Sequence, residues 1–261
     1  TTTSTTTSHG KGVVCAIEAE TEVTQEHLTP ELPLRLITPH CWMWGCREED
    51  LPFTDPFWGF YWPGGQAVAR YVLDVPLLVK DKRVLDLGCG CGAAGIAALK
   101  AGAASVVFND IDPVALQATS LNLTLNNVDL KSTTLEHRNL VEDYDSSIAD
   151  GGASDWDVIL VGDVLYDSDF TAKVITWLRN WRKRGVTVLI GDPGRWSFNE
   201  AVEESQRTKG SDGANLNHDD KELPDERDTL KLRCIAQYRL KPNTHFENRG
   251  YCSAFCWRLD S

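Results

Sequence analysis

The segment Val84-Leu-Asp-Leu-Gly-Cys-Gly-Cys-Gly92 decides the fold of this 261-residue chain. A short apolar run leads into three glycines, which is typical of a buried strand that ends in a tight loop. A second apolar strand, Ser105–Asn109, follows after the length of one helix and leads into Asp110. Glycines let the backbone approach a nucleotide closely, and a terminal acid can accept the hydroxyls of its ribose. The segment therefore predicts a binding unit for an adenosine-type cofactor.

The glycine spacing bears on which cofactor the unit binds. Gly88, Gly90 and Gly92 form G-x-G-x-G, whereas loops that bind the pyrophosphate of a dinucleotide carry G-x-G-x-x-G and aim a helix N-terminus at phosphate. We expect Asp86, inside the strand, to turn its carboxylate toward the ligand, where it would repel pyrophosphate and suit a cationic amino-acid group. Together with Asp110, this pattern favours S-adenosylmethionine over NAD.

Strands and helices alternate on both sides of this segment. The pattern of apolar residues predicts parallel strands at Arg83–Leu87, Ser105–Asn109, Thr133–Arg138, Trp156–Val161 and Val186–Ile190. It predicts helices at Gln66–Leu78, Ala93–Ala101, Pro113–Leu125 and Asp169–Arg184, and an antiparallel pair at Leu230–Leu240 and Gly250–Arg258. Five β/α units followed by such a pair predict the α/β fold of class I S-adenosylmethionine-dependent methyltransferases: a Rossmann-like, mostly parallel sheet of seven strands with an antiparallel C-terminal hairpin.

Length and composition predict one domain with additions. We expect a disordered Thr- and Ser-rich tail at residues 1–16 and a single methyltransferase domain at 17–261. The domain would begin with an extension, residues 17–65, that is rich in aromatic residues and proline. A charged stretch at about 204–228 contains few apolar residues, so we expect a surface insertion there.

The net charge and the cysteines indicate which classes of partner and ligand the chain can bind. The net charge of −12 argues against nucleic acid as the main partner and fits a protein that presents lysines. No apolar run is long enough to span a membrane, and we expect a soluble monomer. Two of the eight cysteines lie in the glycine loop, and the spacings of the others are loose for zinc, so we expect reduced thiols and no metal site.

The hexapeptide Gly162-Asp-Val-Leu-Tyr-Asp167 follows the fourth predicted strand. Ligands of such sheets bind beyond the carboxyl ends of the strands, so this hexapeptide would lie beside the methyl donor. It lacks the Asn/Asp-Pro-Pro-aromatic turn that is usual in enzymes that methylate base nitrogens. Asp163 and Tyr166 can instead hold an amine, which makes them the candidate catalytic residues.

An amine must be neutral to accept a methyl group, but a lysine is only about 0.04% neutral at pH 7. We expect Asp163 to bind the incoming ammonium and orient it, while the nearby sulfonium and desolvation lower the pKa of the amine. Tyr166 would supply an aromatic wall and a hydroxyl, and alignment of the two reactants would give most of the acceleration. The alternative is structural: Asp163 caps the following turn and Tyr166 is a core residue.

Five motifs occur in an order that resembles a known family. They are Tyr61-Trp-Pro-Gly-Gly-Gln66, the glycine-loop segment, Asn109-Asp-Ile-Asp-Pro113, the hexapeptide after strand four and Ile190-Gly-Asp-Pro-Gly-Arg195. The chain resembles the seven-strand protein-lysine methyltransferases marked by Asp/Glu-x-x-Tyr/Phe after strand four. Within that group it is most similar to the electron transfer flavoprotein beta-subunit lysine methyltransferases, over roughly residues 20–198.

The resemblance implies roles for particular residues. Trp62 is implied to lie against S-adenosylmethionine. Its amino-acid part would contact Gly88, Cys89 and Gly90, its ribose would bind Asp110, its adenine would lie between Asn139 and Leu140, and Gly162 would line the floor of the site. Asp163 and Tyr166 would face the lysine. The resemblance also implies a location in the mitochondrial matrix, with the cytoplasm as the alternative.

Other functions remain open on the sequence. The chain could methylate another protein, for example a ribosomal one, or a small amine. It could also be a catalytically silent adaptor that only binds the cofactor, although a silent copy has no need of Asp163 and Tyr166. The stretch at 204–228 departs from the short form of the family, so it leaves the identity of the substrate open.

Overall fold

A computed structural model describes residues 6–143, 155–207, 231–242 and 250–260. Its helices are α1 (Thr6–Glu20), α2 (Pro63–Asp74), α3 (Ala93–Lys100), α4 (Pro113–Leu125), α5 (Ser168–Lys183) and α6 (Trp196–Arg207). Its strands are β1 (Glu22–Thr24), β2 (Leu34–Leu36), β3 (Arg83–Leu87), β4 (Ser105–Asn109), β5 (Thr133–Glu136), β6 (Val158–Gly162), β7 (Thr187–Asp192), β8 (Lys231–Arg239) and β9 (Ser253–Asp260).

Seven strands form one sheet in the order β5-β4-β3-β6-β7-β9-β8. Strands β3 to β7 are parallel, and β9 lies antiparallel between β7 and β8. The chain moves outward from β3 to β5 and then returns to place β6 on the other side of β3. Ligands of doubly wound sheets bind at such a switch point, outside the carboxyl ends of the strands. The topology confirms the predicted fold class.

The sheet is covered on both faces, and its central strands β3 and β6 are mostly apolar, with Asp86 as a buried polar exception in β3. Val84 of β3 and Leu160 of β6 face one core cluster, which helices α2, α3 and α4 cover. Leu85 of β3 and Ile159 of β6 face the other, which α5 and α6 cover. Successive strand residues point to opposite faces, so a strand between two helical layers needs apolar residues at nearly every position.

Helix α2 begins and ends earlier than the predicted Gln66–Leu78. It starts at Pro63 because the fixed φ of proline suits the first helical position. It ends at Asp74 because Val75 precedes Pro76, and the residue before a proline is pushed out of the helical region. The early start brings the backbone of Gly64 and Gly65 to the carboxyl edge of the sheet.

Residues 6–16 differ from the prediction of a disordered tail at residues 1–16, of which residues 1–5 lie outside the described part of the chain. Helix α1 begins at Thr6, and its residue Ile17 is completely buried against Met43, Trp58 and Ala115. The Thr-, Ser- and Gly-rich start of this helix has weak helix propensity, so tertiary packing decides its structure. Strands β1 and β2 then pair antiparallel. They precede the aromatic segment, residues 42–62.

Other differences are small or fall outside the described residues. Strands β3 and β4 have the predicted bounds, whereas helix α6 was not predicted. The proposed insertion at about 204–228 lies outside the described residues except for the end of α6. No helix in the described ranges has the length and apolar character to cross a bilayer, and no disulfide joins any described cysteines.

Candidate active site at the carboxyl edge of the sheet

The glycine loop connects β3 to α3 in a conformation that favours glycine. Gly88, Gly90 and Gly92 have φ values of +63°, +51° and +78°. Residues with a Cβ rarely adopt this left-handed region, so the sequence pattern is explained by the backbone it must form. Gly92 ends the loop directly before the first residue of α3. The loop thus crosses the carboxyl edge of β3 without side chains at three of its positions.

Polar side chains of helix α4 hold the loop from one side. Thr119 donates its hydroxyl to the Gly90 carbonyl at 3.0 Å, and Asn122 donates its amide to the Cys91 carbonyl at 2.9 Å. Both side chains are buried, so these bonds are shielded from competing water. The carbonyl groups of the loop therefore point into the protein. Cys89 is buried as well, and its thiol lies 3.5 Å from the Thr119 hydroxyl.

Asp110 ties the loop to the end of β4. One carboxylate oxygen accepts the Gly90 N–H at 2.9 Å, and the other accepts the Asp112 N–H at 3.0 Å. Burial raises the pKa of Asp110, while these two backbone donors oppose that rise. Its side chain is partly exposed, so lone pairs remain available for a ligand above the loop. This is the position expected of an acid that binds ribose hydroxyls.

Asp86 lies elsewhere than expected. Its carboxylate is buried beneath the loop, only 2% exposed, and accepts the Gly95 N–H at 2.8 Å in the first turn of α3. Burial raises its pKa to about 8. Asp86 thus supports the loop and the helix N-terminus from below rather than presenting its carboxylate on the open face.

Asn139 and Leu140 follow β5 at the same edge, as predicted for residues beside an adenine. The Asn139 side chain accepts the Glu142 N–H at 3.1 Å and donates to the Glu142 carboxylate at 3.0 Å. These bonds close a turn that fixes the backbone at both predicted residues. Leu140 is partly buried and packs against the α5 side of the core.

An aromatic segment from the N-terminal extension lies over the glycine loop. Trp58 is buried, and its Cα lies 3.8 Å from the point that a Cβ on Gly90 would occupy. The following Trp62 stands at the N-cap of α2, where its indole donates to the Phe57 carbonyl at 2.9 Å. Its ring also packs against Phe60 at 5.4 Å between centroids. These contacts hold the Trp62 ring at the start of α2.

Asp163 is the most heavily bonded side chain of the candidate set. One carboxylate oxygen accepts the N–H groups of Gly64 and Gly65, and the other accepts Nε and Nη2 of Arg195 at 2.9 and 2.6 Å. Its φ is +57°, a left-handed conformation that is uncommon outside glycine. Burial raises its pKa, and the Arg195 charge opposes that rise. A direct bond to a lysine ammonium, which the sequence analysis expects, would require one of these four donors to give way.

Close backbone packing explains Gly162 in a way the sequence did not suggest. A Cβ at Gly162 would lie 2.7 Å from the Cα of Gly65, closer than real Cβ atoms approach other atoms. The missing side chain therefore lets the first turn of α2 lie directly on the end of β6. The structure shows helix α2 as the immediate neighbour of Gly162.

Arg195 and Asp192 are site residues to which the sequence analysis gave no role. Asp192 is the buried last residue of β7, and one of its oxygens accepts the N–H groups of Gly194 and Arg195, each at 2.6 Å. Burial, and after it the nearby Asp163 charge, raises the Asp192 pKa to about 7. Both residues belong to the Ile190–Arg195 motif. The family resemblance rests partly on that motif, but no chemical role was inferred for its residues.

Tyr166 is placed differently from Asp163. Its side chain is 63% exposed, so it is not the core residue of the structural alternative. It lies two residues after Val164, whose side chain would meet a Cβ on Gly88 of the glycine loop. The exposed ring is therefore available to a macromolecule that approaches the carboxyl edge of the sheet.

The residues at this edge fit S-adenosylmethionine. Neither the loop at 88–92 nor the turn at 110–112 contains a lysine or arginine, and the loop lacks the G-x-G-x-x-G spacing of pyrophosphate-binding loops. Asp110 keeps accepting capacity beside the loop, which suits ribose hydroxyls. Topology, loop and acid together define a class I S-adenosylmethionine-dependent methyltransferase.

Comparisons with known proteins agree and add the family. Residues 71–160 match the model of the ribosomal protein L11 methyltransferase family. The chain is 41% identical to the electron transfer flavoprotein beta subunit lysine methyltransferase of Xenopus laevis over 241 residues, which covers 92% of this chain and 84% of that protein. It is 38% identical to the Homo sapiens protein of the same name over 245 residues, covering 92% and 79%. The chain belongs to the electron transfer flavoprotein beta subunit lysine methyltransferase family, as the sequence motifs predicted.

Proposed function

We propose that this chain transfers methyl groups from S-adenosylmethionine to lysine side chains of the electron transfer flavoprotein beta subunit. The observation that carries the proposal is identity of 38–41% over about nine-tenths of the chain to enzymes named for that activity. The geometry supports it, because the acidic Asp110 and the exposed Tyr166 lie at one edge of the sheet. The net charge of −12 suits a partner that presents lysines.

Residues on the β3–β5 side would hold the cofactor. S-adenosylmethionine supplies a methyl group activated by its positive sulfur. Asp110 would accept the ribose hydroxyls, and the backbone of Gly88, Cys89 and Gly90 would lie against the amino-acid part. Trp62 would flank the sulfonium, since an indole face attracts a cation.

Residues on the β6–β7 side would receive the lysine. Tyr166 would contact the aliphatic stem and orient the amine toward the methyl group. Asp163 would act mainly by fixing Gly64 and Arg195, because its carboxylate is nearly inaccessible and fully bonded. Its negative charge would still favour a cationic substrate at short range. Orientation of the amine, rather than a strong base, would give most of the acceleration.

The proposal is tested by transfer of labelled methyl from S-adenosylmethionine to purified electron transfer flavoprotein. Ribosomal protein L11 is the comparison substrate, because residues 71–160 match the family named for it. We expect label on the beta subunit and none on L11. Label on L11 alone would replace the proposed substrate, and cofactor binding without transfer to any protein would support a silent adaptor.

The proposal also covers the oligomeric state of the enzyme, its substrate class and its location in the cell. We propose that the enzyme acts as a monomer, does not use nucleic acid as a substrate, and resides in the mitochondrial matrix, a location that the family suggests. Size-exclusion chromatography with light scattering tests the first point, and imaging of the tagged full-length protein tests the last. A stable dimer or a purely cytoplasmic signal would count against them.

A further inference from the structure

The segment after β7 carries a side chain that reaches across the site. Asp192 accepts two backbone N–H groups of its own turn, and Gly194 adopts a φ of +97°, so the backbone at Arg195 is fixed. From there the guanidinium reaches Asp163, which follows the neighbouring strand β6. Only 18% of the Arg195 side chain and 2% of the Asp163 side chain are exposed. This contact is buried, unlike the other ion pairs of the described chain, whose carboxylates are all more accessible.

Two aromatic rings flank the same guanidinium. The Cζ atom of Arg195 lies 5.9 Å from the centroid of the Trp62 ring and 5.6 Å from that of Tyr251. Trp62 belongs to the start of α2, and Tyr251 precedes β9 in the C-terminal hairpin. A planar guanidinium can stack on rings and donate in its plane at the same time, which an ammonium cannot do.

Arg195 therefore joins segments that are distant in sequence. Asp163 receives Arg195 on one oxygen and the first turn of α2, at Gly64 and Gly65, on the other. Trp62 directly precedes that turn, so Arg195 reaches the start of α2 both through Asp163 and through the Trp62 ring. We propose that Arg195 is a positioning residue for methyl transfer, which holds Asp163, Trp62 and Tyr251 in one arrangement around the lysine-accepting side of the site. This inference rests on the proposed function.

The charges around Asp163 give the proposal a distinctive signature. The groups that face its carboxylate are the Arg195 cation, the Asp192 carboxylate and the backbone donors of α2. Without Arg195, the buried carboxylates of Asp163 and Asp192 would still repel each other, and Asp163 would have lost its cation. Like charges in a buried site raise each other's pKa, so the pair would keep a proton at neutral pH. The ionised arrangement would then form only at higher pH.

The test compares Arg195→Met, Arg195→Lys and a control, Arg83→Met. Arg83 pairs with Asp157 at the opposite, amino end of β3, so its loss removes an arginine–carboxylate pair that lies outside the site and is more exposed. Methyl transfer to the beta subunit is measured across pH, with separate kcat and KM values. We expect Arg195→Met to lower kcat at neutral pH at least tenfold and to shift the acidic limb of the kcat profile to higher pH. Arg195→Lys should keep the limb near its wild-type position but not restore the rate, and Arg83→Met should match wild type.

Hydrogen exchange gives a second readout that does not depend on activity. Without the guanidinium we expect the amides of Gly64 and Gly65 to lose protection in Arg195→Met, while the central strands β3 and β6 stay protected. Wild-type protection at both glycines, or an unchanged kcat profile in Arg195→Met, would overturn the proposal. If wild-type enzyme transfers no methyl to the beta subunit, the proposed function fails, and the exchange pattern still decides whether Arg195 holds this arrangement.

Discussion

Substituting Gly64 by alanine should damage the protein far more than the same change at Gly65. Both glycines lie in the first turn of α2, and neither has a positive φ, so the backbone permits alanine at both positions. The difference is in the space that a methyl group would meet. At Gly64 it would overlap the Gly191 carbonyl group and lie 2.7 Å from Asp163 Oδ2, whereas at Gly65 it would meet only the Tyr61 ring at 3.7 Å.

The magnitude follows from these contacts. Forcing an extra methyl group into a packed site costs typically 1–3 kcal/mol, here against rigid backbone. Displacing the N–H of Gly64 from a buried carboxylate adds roughly 1.5–3 kcal/mol. Alanine recovers about 1 kcal/mol of helix propensity. The net loss is about 1.5–5 kcal/mol for Gly64→Ala, which for a chain of this size is a fall of ~3–20 °C in melting temperature. Gly65→Ala should be neutral or slightly stabilising.

Thermal unfolding followed by circular dichroism, with both variants and wild type in one buffer, measures this difference. Methyl transfer at a temperature where both variants are folded gives a second comparison, since a displaced α2 also moves Trp62 and the partner of Asp163. Equal melting temperatures for the two variants would refute the reasoning, because the close contact between α2 and β7 would then have no energetic consequence.

Three further predictions concern the candidate site residues. Burial raises the folded-state pKa of Asp86 to about 8, above its unfolded value, so wild type loses stability as pH rises from about 4 to 8. The stability of Asp86→Asn relative to wild type should therefore increase as the pH rises to about 8, and this difference should stay constant above pH 8. If the difference between the urea midpoints of variant and wild type were the same at pH 6 and pH 8, the prediction would be contradicted. Tyr166→Ala should lower methyl transfer about tenfold or more with an unchanged melting temperature, because the ring is 63% exposed; unchanged kcat/KM would remove Tyr166 from the site. Asp110→Asn should weaken cofactor binding about tenfold in calorimetry by removing a charged acceptor, and wild-type affinity would exclude the ribose contact.

Local sequence predicted the central fold because local and tertiary preferences agree there. Strands β3 and β4 are short apolar runs, and β3 ends in glycines whose left-handed φ values few other residues adopt. Asp112 caps α4 by accepting the Val114 N–H, and Pro113 takes the first helical position. These signals are contained in neighbouring residues, so they can be read without the fold.

Contacts between distant segments could not be predicted in this way. Helix α1 depends on burial of Ile17 against residues of the aromatic segment, which its own composition does not indicate. Asp163 was expected to face the lysine, yet its partners are Gly64, Gly65 and Arg195, nearly a hundred and some thirty residues away in sequence. A carboxylate motif shows that an acid is needed after a strand, but only the folded structure shows which donors surround it.

Mass spectrometry of the electron transfer flavoprotein beta subunit, after incubation with this enzyme and S-adenosylmethionine, tests the central claim most directly. Peptide fragmentation locates any added methyl group, and Tyr166→Ala in a parallel reaction links the product to the site. We predict methylated lysine residues on the beta subunit after reaction with wild type, and far fewer of them after reaction with Tyr166→Ala. An unmodified beta subunit, in a reaction where calorimetry shows that the enzyme binds S-adenosylmethionine, would contradict the claim.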